Sequence, residues 1–123
     1  DPIIALVVAA NIVVTGLQLI RRSLSGLMDE ALTPDRMVAV LEVLESVRAD
    51  GNDYHALRTR TSGHRAFLSV HVLVPGSWTV QEGHDYVEEL EQQLCRLDPG
   101  FNVVTHLEPI EDSASFTDAG IVG

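Results

Sequence analysis

The chain has 123 residues and a formal charge of −10, with 18 acidic residues against eight arginines and no lysine. That balance leaves no basic footprint for nucleic acid, and an acidic surface favours cations or plain solubility. The single cysteine, Cys95, excludes a disulfide framework and a thiolate zinc cluster, and on a helical face it reads as a small buried hydrophobe.

Pro2 to Ile20 contains no charged residue, and Arg21 and Arg22 follow at once. As a helix this run would reach about 28 Å, close to the hydrocarbon thickness of a bilayer. Residues 1–28 are therefore expected to form one long apolar helix that crosses a membrane through residues 2–20. A cleaved signal peptide would carry its basic residues before the apolar run rather than after it. An amphipathic helix buried in a soluble core is another reading, because Asn11, Thr15 and Gln18 share one helical face. In a span, the same stripe would pack on neighbouring helices. The positive-inside rule makes Arg21 and Arg22 the cytoplasmic end, so the expected location is a cell (inner) membrane with residues 21–123 in the cytoplasm.

Residues 29–109 read as one small soluble domain. Thr33-Pro34 starts a helix, an N-cap hydroxyl followed by proline at the first helical position. Met37, Val40, Leu41, Leu44 and Val47 give it one apolar face, and Asp50-Gly51-Asn52 ends it. A strand is expected from Tyr54 to Thr61, a turn through Thr61-Ser62-Gly63-His64, and a second strand from Arg65 to Val74. Thr79 and Glu82 have capping-box spacing and open a second helix, whose expected face is Val80, His84, Val87, Leu90, Leu94 and Leu97. Asp98-Pro99-Gly100 closes it, and a last strand runs from Phe101 to Glu108. The order α-β-β-α-β predicts an α+β, ferredoxin-like sandwich, two helices covering one face of a three-stranded sheet. Residues 110–123 are short of packing residues and read as a flexible tail.

Strand period decides which histidines can meet. Leu68, Val70, Val72 and Val74 alternate toward the helices, which turns His71 to the opposite face with Phe67, Ser69 and Leu73. In the last strand His106 and Glu108 share one face, an imidazole and a carboxylate within reach of one cation. His55 opens the first strand, and His84 lies in the first turn of the second helix. Imidazole with carboxylate suits zinc, and also cobalt, iron, manganese, nickel or cadmium. Each residue also has an ordinary reading: His84 as a core-edge histidine, His71 as a cross-strand packing residue, and His64 as a solvated turn residue. No G-x-S-x-G elbow and no glycine-rich phosphate loop is present, so the chain is not read as an enzyme.

The order of these segments resembles the cation diffusion facilitator family of metal/proton antiporters, from the final membrane helix through the cytoplasmic domain. The residues that carry it are Asp1-Pro2-Ile3-Ile4-Ala5, Gly26-Leu27-Met28-Asp29-Glu30-Ala31-Leu32 and His55-Ala56-Leu57-Arg58-Thr59-Arg60-Thr61-Ser62-Gly63. Val70-His71-Val72 and Val104-Thr105-His106-Leu107-Glu108-Pro109 complete the set. The resemblance implies a metallochaperone-like domain that pairs into a V-shaped homodimer and binds Zn2+ where the copies meet. It places metal ligands at His55, His71, His84, His106 and Glu108. His55, His71 and Glu108 would surround one ion, and His84 and His106 would serve a second, across the dimer.

The family often has aspartate where Glu108 stands, and Gly83 is an unusual residue inside a helix. Asp29 matches an acidic residue that links membrane helices to the cytoplasmic domain by charge pairing, and it reads equally as a solvated linker charge. The family's transport ligands lie on spans that these residues do not include. The expected role is regulation of proton-coupled metal efflux by metal binding at the dimer interface. The competing expectations are a metal-independent dimerisation and stability module, or a free-standing cytoplasmic metal-binding protein.

Overall fold

Pro2–Ser25 forms α1, whose first turn is tied by Asp1: its Oδ1 accepts from the Ile3 N–H at 2.9 Å. Its 24 residues span about 36 Å at the helical rise. Large aliphatic side chains including Ile3, Leu6, Ile12 and Leu19 are exposed around it, and it is long and apolar enough to cross a membrane. The computed structural model describes residues 1–25 and 31–116. The chain divides into two units, Asp1–Glu30 and Ala31–Gly123. Asp29 and residues 117–123 of the expected tail lie outside the described residues.

The second unit begins with α2, Pro34–Ala49. Pro34 occupies the first turn, but the Thr33 hydroxyl makes no capping hydrogen bond. The expected hydroxyl cap is therefore absent, and the start rests on proline geometry and on the Met37 N–H bonding the Thr33 carbonyl at 2.9 Å. β1 (Asp53–Ser62) and β2 (Arg65–Val74) form the predicted antiparallel hairpin. α3 (Val80–Leu97) opens on a complete capping box: Thr79 accepts from the Glu82 N–H, and Glu82 accepts from the Thr79 N–H. β3 (Phe101–Pro109) then runs parallel to β2, giving the sheet order β1-β2-β3. This is the α+β architecture expected from the sequence, preceded by one apolar helix.

One sheet face carries the core. Val40, Leu44 and Val47 of α2 meet Leu68, Val70, Val72 and Val74 of β2 and Leu90 and Leu94 of α3, all at most 4% exposed. Each such aliphatic side chain contributes about 1.5–3 kcal/mol by leaving water. The buried stripe of α3 is rotated from the expected one. Val80 is 88% exposed and Leu97 41%, whereas Gly83 is buried and Tyr86 packs against the core. Gly83 lies against Leu107, so close that a Cβ on residue 83 would lie 2.3 Å from its Cδ2. Glycine at position 83 costs the helix roughly 1 kcal/mol relative to alanine and leaves room for the Leu107 side chain as it stands.

Cys95, expected inside, is exposed. Beyond β3, residues 110–116 are held to the domain: Glu111 accepts from the Gly76 N–H, and the buried Ser115 donates to the Pro109 carbonyl, both at 2.9 Å.

Candidate metal centre

The opposite face of the sheet carries the polar chemistry. Antiparallel pairing sets His55 against His71, and parallel pairing sets His71 against His106, so three imidazoles lie side by side across three strands. Their ring centroids are 5.1 Å apart for His55–His71 and 4.9 Å for His71–His106. Glu108, two residues beyond His106, turns to the same face and is buried, at 6% exposure.

Glu108 collects the contacts. Its Oε2 accepts from Nε2 of His55 at 2.9 Å, and its Oε1 lies 2.8 Å from Nδ1 of His71 and 3.5 Å from Nε2 of His106. Burial alone would push the carboxyl up, but the His55 hydrogen bond and the adjacent His71 outweigh it and hold it below the ordinary value of 4.5. It is therefore ionised at neutral pH and can only accept, so the hydrogen bond with His55 takes its proton from Nε2.

Among the described residues, His71 is the exception to the satisfaction of buried polar side-chain atoms. Its Nδ1 is buried and, despite the short distance to Glu108, makes no properly directed hydrogen bond. A buried nitrogen left this way normally costs stability. One ligand atom from each of His55, His71 and Glu108 lies within 4.8 Å of the others. Two imidazoles and a carboxylate form a donor set that zinc and its neighbours accept, with a further position open to His106 or water.

The five sequence-predicted ligands therefore divide. His55, His71 and Glu108 are together, with His106 at their exposed margin, its side chain 65% exposed. His84 belongs to a different group. It lies on α3, exposed, with Nε2 3.7 Å from Glu88 Oε2, and with Asp85 it forms a second, fully exposed set of donors.

Two features that hold the centre had not been anticipated. The first is a β-bulge between His55 and Arg58, where Ala56 adopts φ +53°. The extra residue lets His55 and Arg58 face the same side as His71 and Ser69. No glycine or asparagine signalled it. The second is Glu91 of α3, whose Oε1 accepts from the Thr105 N–H at 3.1 Å and from its hydroxyl at 2.6 Å.

With the geometry in hand, comparison with known proteins is informative. Residues 32–110 match the family model described as "Cation efflux protein, cytoplasmic domain". An uncharacterized transporter of Synechocystis is 44% identical over 116 residues, covering 94% of this chain and 37% of the relative. The cation-efflux pump FieF of Pectobacterium carotovorum is 31% identical over 111 residues, covering 89% of this chain and 36% of the pump. The chain thus spans little more than a third of these relatives. Among solved structures, the Zn form of CzrB is similar over 69% of this chain and 97% of its own, with a TM-score of 0.60 and 34% identity. The metal-bound C-terminal domain of the CzcD transporter of Thermotoga maritima shares the fold, with a TM-score of 0.57 and 22% identity over 64% of this chain and 92% of that one.

Proposed function

This chain belongs to the cation diffusion facilitator family through the cytoplasmic domain of the cation efflux proteins, and from that premise we propose that it is the C-terminal part of a divalent metal exporter. Residues 1–28 would be its last membrane span, 29–109 a metal-binding dimerisation domain on the cytoplasmic side, and 110–123 its tail. The observation that carries the reading is the convergence of His55, His71 and the buried Glu108, with Nδ1 of His71 lacking a directed hydrogen bond.

The metal would be cargo that the domain also senses. Zinc is the proposed ion, supported by the donor set and by the likeness to a transporter domain solved in a Zn form. A second ion would use His106 and, from the other copy of a homodimer, His84. Support for that face as the meeting surface comes from Val104, 65% exposed on the histidine side of β3. Binding would favour one separation of the paired domains, and α1 would carry the change to the transport machinery of a proton-coupled exporter. The ion shifts that equilibrium only by its differential affinity for the two states.

Calorimetric titration of the chain in detergent with zinc at neutral pH tests this. Binding is expected in the wild type and should be abolished by His71→Ala together with Glu108→Ala; retention in the double variant refutes the site. Sedimentation with chelator and with zinc tests the regulatory part. A dimer of the same shape in both would leave a dimerisation module without a sensor.

A further inference from the structure

The last strand is held to α3 at two points, one through its outer backbone edge and one through a side chain that faces the core. Among the described residues β3 is an edge strand, paired with β2 alone, so its outer backbone groups face no neighbouring strand. At Thr105 the missing partner is replaced by Glu91, which accepts from both the backbone N–H and the hydroxyl. At Leu107 the side chain presses into α3 where Gly83 leaves room, so close that any Cβ there would overlap it. These two holds flank His106 and immediately precede Glu108.

We infer that Gly83 and Glu91 are positioning residues for the metal centre: together with Leu107 and Thr105 they clamp β3 to α3 and so fix where the Glu108 carboxylate meets His55 and His71. The inference rests on the proposed metal binding. The clamp has a physical requirement that a simple packing contact lacks. Glu108 must reach imidazoles on two other strands at 2.8–2.9 Å, so a shift of β3 relative to the sheet would change both contacts at once. The same clamp ties the centre to the first turn of α3, where His84 follows Gly83 directly.

Cobalt, spectroscopically visible where zinc is silent, is the probe, bound to the whole chain in detergent. The wild type is titrated first; if it binds neither cobalt nor zinc, the proposed metal function itself fails. Given wild-type binding, Gly83→Ala and Glu91→Ala should each weaken affinity by about 10- to 100-fold, the range found when supporting partners of metal ligands are removed. Both should also change the cobalt absorption bands at temperatures where the protein remains folded by circular dichroism. Glu91→Gln keeps an acceptor oxygen and should bind nearly as the wild type does. Adding Leu107→Val to Gly83→Ala removes the overlapping Cδ2 and should restore both affinity and spectrum, and this pair decides the matter if Gly83→Ala alone does not fold. Folded Gly83→Ala and Glu91→Ala variants with wild-type cobalt spectra and affinities would overturn the clamp while leaving the metal site standing. So would a folded Gly83→Ala/Leu107→Val variant that fails to recover them.

Discussion

At the scale of single residues, Ala56 and Glu108 bear the cost of the site. Ala56 holds a left-handed backbone that glycine adopts freely and alanine does not. Ala56→Gly is expected to stabilise the metal-free protein by up to about 1 kcal/mol. Thermal denaturation would show it as a raised midpoint, and a lowered midpoint would mean that the methyl packs better than it strains. Glu108 predicts an acid dependence. Its carboxyl is depressed in the fold, so its stabilisation is complete above the ordinary value of 4.5 and is lost as pH falls through the lower folded value. Glu108→Gln should be less stable at neutral pH and should lose less on acidification, as measured by urea midpoints across that range. The meeting of His71, His106 and Glu108 was legible because strand period alone sets their side. The bulge was not, because an alanine in left-handed geometry leaves no trace in composition.

At the scale of elements, the two helices of the second unit begin in chemically different ways although both open on threonine-led signals. Thr79→Ala removes half of a reciprocal cap and is expected to cost about 1 kcal/mol. Thr33→Ala removes a hydroxyl that caps nothing and should leave the midpoint nearly unchanged. Calorimetric midpoints of the two variants, measured side by side, check the contrast. Leu44 is fully buried between α2 and the sheet, so Leu44→Ala should cost about 2–5 kcal/mol, a large share of what a domain this small can hold. Element order and boundaries followed from periodicity and turn residues. The face of α3 did not, because Val80 and Leu97 have core spacing but are the terminal residues of the helix, and burial falls on Gly83, Leu90 and Leu94 between them. Cys95 was misplaced as well: it lies outside the stripe of Gly83, Leu90 and Leu94 and is exposed.

At the scale of the molecule, α1 leaves most of its large aliphatic side chains exposed, whereas the second unit buries a core of Val40, Leu44, Val47, Leu68, Val70, Val72 and Leu94. Val13, near the middle of α1, is the sensitive position. Val13→Arg should raise the cost of inserting the proposed span by about 2.5–3.5 kcal/mol, measured as a lower inserted fraction of α1 in a membrane-insertion assay. In the second unit, His55 and His71 are separated by a hairpin, and His71 and His106 by a crossover helix, yet all three imidazoles stand in one cross-strand row. That row acts as a ruler on the gene. Residues can be added at the Gly63-His64 turn or around the helix without disturbing it. An insertion or deletion of one residue inside a strand would turn an imidazole to the other face. Relatives that keep the metal centre should therefore vary in length at the turns and hold the intervals from His55 to the turn, and from the turn to His71, constant. The bulge at Ala56 would stand as the one tolerated irregularity.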